Sequence, residues 1–208
     1  FRSSGSSTGS LYTNGDATSN SHISGGISYT PLTPQYFSTP GYFTITANSL
    51  SVGSSQAIGT FYPIVDSGTN SLVLPSAAFT ALQNQIQSAT GQQLSIGSSC
   101  PSVSSMPTVY VKASDSYGSE FTLSIPADKY CPVMNGGRTF MASASSQFHI
   151  LGTPLLNQHY GVFDKSGQRV GFAGLTGCSS SYINTENIVV GAKEGESIQE
   201  PADGGLSK

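Results

Sequence analysis

In the run Ile-Val-Asp-Ser-Gly-Thr-Asn, residues 64 to 70, a single carboxylate stands between an apolar stretch and a glycine that permits a tight turn. Hydroxyls follow at Ser67 and Thr69, where either could donate a hydrogen bond to the acid. Charged residues make up only 9% of the 208-residue chain, against about 25% in an ordinary soluble domain. The nearest Lys or Arg in sequence is Lys112. An acid delivered by an apolar strand, with hydroxyl donors beside it and no Lys or Arg near it in sequence, is a candidate for acid–base chemistry. Asp-Ser-Gly alone is a common turn. Chemistry at Asp66 is indicated by this setting together with a second apolar-apolar-Gly segment, Ile150-Leu151-Gly152, far downstream.

The other ionisable residues are less suggestive. His22, His149 and His159 are too scattered to form a ligand set and read as surface or packing histidines. Asp115 and Asp128 fall in loop or strand-end settings, and Asp16 falls in a Thr-Asn-Gly-Asp turn. Asp164 and Lys165 sit at a hairpin turn and read as solvated. The three cysteines, Cys100, Cys131 and Cys178, show no zinc-binding spacing, and neither a metal nor a cofactor is implied. An odd count leaves at least one thiol either bridged to another chain or free. The formal net charge of −3 offers no basic footprint, so nucleic acid is not an expected partner. So few ionisable groups also limit charge repulsion when carboxylates protonate, which suits an acidic compartment.

These residues must be positioned by β structure. The chain holds 24 Gly and 11 Pro with 37% hydrophobic residues, a turn-rich composition that still supplies a core. Gly25 to Thr33 and Gly41 to Gly53 alternate apolar and polar residues in the strand period. The stretch from Gly59 to Pro75 reads strand, turn, strand, with Asp66 at the turn. Phe79, Leu82 and Ile86 then mark one amphipathic helix, with Ser76 as its cap and Gly91 after its end. Thr-Val-Tyr-Val-Lys-Ala and Glu-Phe-Thr-Leu-Ser-Ile form a hairpin, Phe148 to Gly152 a short apolar strand, and residues 160 to 173 a second hairpin turning at Lys165-Ser166-Gly167. Gly-Ser-Leu-Tyr-Thr-Asn-Gly-Asp near the start reads as a further short strand. After Cys178 periodicity gives way to charge. The expectation is one domain over residues 1–185 and an acidic, flexible tail over 186–208, in which Asn-Ile-Val-Val could add an edge strand. No stretch approaches the roughly 18 apolar residues of a membrane span. With no initiating Met and no signal pattern at Phe1, the chain reads as a processed piece of something longer.

Taken together, Ile-Val-Asp-Ser-Gly-Thr-Asn-Ser-Leu-Val-Leu-Pro, the downstream Ile-Leu-Gly and Val-Phe-Asp-Lys-Ser-Gly-Gln-Arg-Val-Gly-Phe-Ala resemble the C-terminal lobe of a pepsin-like aspartic protease. They are nearer to its β-secretase type than to gastric pepsin. The likeness runs from about Gly9 to Cys178 in the family's order. It implies an all-β fold with few short helices, the C-terminal half of a bilobal β-barrel enzyme. It also implies roles. Asp66 would be one of two catalytic aspartates, Ser67 would reach to the other lobe's active-site turn, and Thr69 would bond the outer carboxylate oxygen. Gly68, Thr69 and Asn70 would line an extended peptide substrate, and Ile150, Leu151 and Gly152 would pack behind the turn. Two carboxylates about 3 Å apart cannot both ionise and so share one proton, pepsin being the type case.

The second acid is missing from this sequence, which contains no other Asp-Thr-Gly or Asp-Ser-Gly. The resemblance therefore implies an N-terminal lobe, cut from the same precursor, as partner. It places Cys100 and Cys131 in a bridge within the lobe and pairs Cys178 with that other chain, the alternative being a free or mispaired thiol. The expected activity is that of an endopeptidase, secreted or in the endolysosomal or vacuolar lumen, from a precursor that could be membrane-anchored. An inactive pepsin-like binding or inhibitor protein is the second reading, and a homodimer giving one Asp66 per subunit a weaker third.

Overall fold

The computed structural model describes residues 23–33 and 41–175. The expected strand ending at Asp16, His22, Cys178 and the acidic tail lie outside the described residues.

The chain is mostly β-strand with few short helices. The first sheet joins β1 (Ile23–Pro31), β12 (Arg169–Leu175) and β11 (Tyr160–Asp164), all antiparallel, in the order β1-β12-β11. The second joins β2 (Ala47–Val52), β5 (Val109–Ser114) and β6 (Glu120–Ile125), also antiparallel. β5 shows why these residues make a half-buried strand. Val109, Val111 and Ala113 are buried while Tyr110 and Lys112 face outward, as a period of two requires.

The third sheet positions the candidate site. Its order is β3 (Pro63–Val65), β10 (His149–Leu151), β4 (Leu72–Leu74), β9 (Ala142–Ala144). β10 lies parallel to β3 and antiparallel to β4, so a distant segment separates the two strands that flank Asp66. Burial of Val65, Leu72, Leu74 and Leu151 anchors all three strands in one core.

Helix α1 (Ser76–Thr90) buries Ala78, Leu82 and Ile86, a stripe with spacing of four, and packs on β2 and β9. Phe79, expected in that stripe, is only partly buried and packs against Phe140 with ring centroids 6.3 Å apart. The expected Ser76 cap is corrected. Ser76 is the first helical residue, Pro75 takes the capping position, and no side chain bonds the helix start. Proline is preorganised for entry to a helix but provides no acceptor side chain. Gly91 ends the helix in the left-handed region at φ 73°, its amide bonded to the Gln87 carbonyl.

Four pieces were not legible in the sequence: α2 (Ala127–Tyr130), the hairpin of β7 (Val133–Met134) and β8 (Gly137–Arg138), β9, and α3 (Thr153–Leu156). Asp128 accordingly sits in a helical turn, not at a strand end, and pairs with Lys129 at 3.2 Å. Cys100 and Cys131 are bridged, with Cα atoms 6.2 Å apart. No helix among the described residues is long and apolar enough to cross a membrane.

Candidate active site

Asp66 follows directly on β3, where three buried residues end and the chain turns. Its amide donates to the Leu151 carbonyl at 3.2 Å, which continues the β3–β10 ladder to the acid itself. Its carboxylate is held from both sides by its own turn. The Gly68 amide donates to Oδ1 at 2.8 Å and the Thr69 hydroxyl to Oδ2 at 2.6 Å. A carboxylate accepting two local donors is fixed in orientation. It is only partly buried, and none of the ion pairs among the described residues involves it.

Thr69 thus meets Asp66 as the sequence led us to expect. The Ser67 hydroxyl, the other donor that could have reached the acid, makes no bond to Asp66 among the described residues, and the Gly68 amide is the second donor. Ser67, Gly68 and Asn70 are exposed, while Thr69 is half-buried beneath the carboxylate it serves.

Behind the turn, Gly152 fits where no other residue could. A Cβ built there would lie 2.2 Å from the Thr69 carbonyl oxygen and 2.5 Å from that of Ser71. The Thr153 amide donates to the same Thr69 carbonyl at 2.8 Å. Leu151, wholly buried, and Gly152 therefore clasp residues 66–71 from the rear by backbone alone. Ile150, partly buried, sits opposite Ile64 and Val73.

His149, at the start of β10, packs edge-on to Phe61 with centroids 5.8 Å apart. Burial lowers its pKa, against an opposing backbone bond at Ser145. Asp164, read as solvated at its hairpin turn, is also bonded there. It accepts from the Gly167 amide (2.7 Å), the Ser166 hydroxyl (3.0 Å) and Arg169 Nε (2.8 Å), which hold it down to about 2. It fastens the β11–β12 turn, and Arg169 also lies 4.0 Å over the Tyr29 ring. Asp115 likewise closes the β5–β6 turn by accepting the Tyr117 and Ser119 amides. No cluster of metal-ligating side chains occurs among the described residues.

A turn-borne carboxylate backed by a strand inserted between its flanking strands is the construction of a pepsin-like lobe, and the sequence comparisons agree. The chain belongs to the eukaryotic aspartyl protease family, whose model matches residues 2–175. It is 31% identical to aspergillopepsin-1 of Aspergillus pseudoglaucus over 161 residues, covering 75% of this chain and 39% of that protein. It is 32% identical to mouse cathepsin D over 168 residues, covering 75% and 38%. With chymosin of Callithrix jacchus it shares 31% identity over 169 residues, covering 79% and 42%. The chain thus spans about two fifths of the length of these relatives. They support the pepsin-like family at large, and the nearer kinship to the β-secretase type finds no support in them.

Proposed function

We propose that this chain is the C-terminal lobe of an aspartic endopeptidase and that Asp66 supplies one of the two acids of its dyad. One arrangement carries the reading: the Asp66 carboxylate, held by Gly68 and Thr69 and unpaired with any cation among the described residues, on a turn clasped from behind by Gly152. The second acid comes from an N-terminal lobe, which the relatives' additional length would accommodate.

In the assembled site the two carboxylates share one proton. The ionised member takes a proton from a water whose oxygen adds to the scissile carbonyl carbon, while the protonated member donates to the carbonyl oxygen. Collapse of the resulting gem-diol breaks the C–N bond, and the proton gained from water passes to the leaving amine. Thr69 keeps the Asp66 plane fixed through this cycle. Gly68 and Asn70, both exposed beside the acid, line an extended peptide, and Ser67 reaches the partner lobe's turn. Cys178 bridges the two chains, residues 1–185 form the lobe, and 186–208 form a solvated tail. An acidic, secreted or lysosomal-type lumen suits both the dyad and the sparse charge.

The test uses the complete two-lobe protein. Peptide cleavage with an acidic optimum, inhibition by a statine-type transition-state analogue, and loss of turnover in Asp66→Asn with a nearly unchanged thermal transition are expected. Full activity in Asp66→Asn would remove the dyad from the account. Peptide binding without cleavage by the unsubstituted protein would favour an inactive binding protein.

A further inference from the structure

Strand β3 carries Asp66 at its end, and β10 covers only one of its edges. The other edge belongs to residues 43–45, which run antiparallel to it. The Ile45 amide donates to the Pro63 carbonyl at 3.1 Å, Thr44 bridges to Ile64, and the Val65 amide donates to the Phe43 carbonyl at 2.9 Å. The last of these bonds is one residue from the acid.

The three residues of this segment are not held alike. Ile45 is wholly buried and also bridges to Leu32. Thr44 is buried, and its carbonyl accepts the Thr33 amide at 2.8 Å. Phe43 is only partly buried, and Gly41 and Tyr42 before it are exposed. What holds Phe43 is its ring, which meets the Phe163 ring edge-on with centroids 5.0 Å apart and planes at 80°. Such a contact is favourable because the positive edge of one ring faces the negative face of the other. The peptide unit is planar and rigid, so fixing the Phe43 side chain also fixes where the acceptor for Val65 stands.

Phe163 is a firm anchor for that contact. It lies opposite Val170 of β12, and the adjacent Asp164 closes the β11–β12 turn through the Gly167 amide, Ser166 and Arg169. β11 and β3 belong to different sheets, so the two rings join the first sheet to the one that carries Asp66.

We propose that Phe163 is a positioning residue for Asp66 and acts through Phe43. Leu151 and Gly152 hold the turn from the β10 side, and the Phe163–Phe43 pair holds β3 from the opposite edge. Loss of the ring contact frees the Phe43 carbonyl, weakens its bond to Val65 and lets the end of β3 tilt. Neither ring titrates, so the tether keeps its strength in acid, where the proposed chemistry operates. The effect on turnover rests on the peptidase reading above, and the tether itself does not.

The test starts with hydrogen exchange on the full 208-residue chain. In Phe163→Leu the Val65 amide should exchange about threefold to tenfold faster than in the parent, beyond any change in the amides of β5 and β6. Phe43→Leu should do the same, and the double variant should add little to either. Phe163→Tyr, which keeps the ring, should behave as the parent. In the complete two-lobe protein, a tilt well below the 1 Å that costs about a hundredfold should lower the kcat of Phe163→Leu about tenfold with KM nearly unchanged. Phe163→Tyr should restore it. Val65 protection that is unchanged in Phe163→Leu, or lost only in step with β5 and β6, would overturn the tether. A freed Val65 amide with kcat unchanged would overturn its role at the acid. If the unsubstituted complete protein cleaves no peptide, the peptidase reading fails and the exchange result alone decides the tether.

Discussion

Gly152→Ala should unfold the rear of the candidate site. The added Cβ would sit 2.2 Å and 2.5 Å from two carbonyl oxygens, where ordinary contact needs about 3.5 Å. Both obstacles are backbone, and so is Gly152, so no side-chain rotation relieves the clash. Residues 69–71 and 152 must separate by about 1 Å. Overpacking of this kind costs about 1–3 kcal/mol. The same movement stretches the Thr153-to-Thr69 and Asp66-to-Leu151 backbone bonds, each worth about 0.5–1.5 kcal/mol. The expected destabilisation is about 4 kcal/mol, within limits of about 2 and 6. That is a large share of the 5–15 kcal/mol typical of a whole domain. Urea unfolding followed by circular dichroism measures it, with Gly59→Ala as control. A Cβ at Gly59 meets nothing within 4 Å, and a change below about 0.5 kcal/mol is expected there. On the peptidase reading proposed above, a displacement of this size at Asp66 in the complete protein should lower turnover about a hundredfold or more. A Gly152→Ala lobe as stable as the Gly59→Ala control would refute the clasp.

Three further outcomes are expected. Asp164 is held down to about 2, below its ordinary value of 3.8, first by the Gly167 amide and then by Arg169 and Ser166. Its carboxylate therefore stabilises the fold above about pH 4, and this is lost as pH falls towards 2. Asp164→Asn should melt below the parent at pH 5–7 and converge with it as pH is lowered, whereas a constant gap would contradict the assignment. Breaking the Cys100–Cys131 bridge, which spans 31 residues, should cost about 3–4 kcal/mol by the chain-entropy model. If Cys178 tethers a second chain, non-reducing electrophoresis of the complete protein gives one band. On reduction that band splits, one product running near 21.5 kDa, and two bands before reduction would exclude the tether.

The long alternating strands were legible because a period of two spans six residues in β5 and β6. The Asp66 turn was legible as a local motif, but the residues alone left Ser67 and Thr69 both open as donors, and only the resemblance pointed to the Thr69 bond. The helix stripe was read with Phe79 in place of Ala78, since hydropathy favours the larger side chain while the space beneath α1 takes the smaller. Strands of two or three residues, such as β7, β8 and β9, carry no period to detect. Thr-Pro-Leu-Leu reads equally as a loop after Gly152, so α3 has no signal of its own in sequence. A turn acid looks alike in sequence whether or not Arg169 folds back onto it, so the bonds of Asp164 carry no local signal. The burial of His159 had no sequence signal. It depends on β6 packing beneath α3, a tertiary fact.

The placement of β10 between β3 and β4 bears on the order in which the chain acquires its shape. Residues 63–74 can turn back on themselves early, but the gap they leave is filled only by residues 149–151. At about 5–20 residues per second, synthesis of the intervening 75 to 148 takes roughly 4–15 s. Until that segment arrives, β3 and β4 each expose an unpaired edge rich in Val, Ile and Leu, which is a template for association with other chains. A nascent lobe lacking residue 149 would have Asp66 and Thr69 in sequence but nothing to fix their geometry. Its final closure is a long-range event, slow relative to local helix formation at α1. The turn at Asp66 is thus among the first parts of the described chain to be made and among the last to be finished.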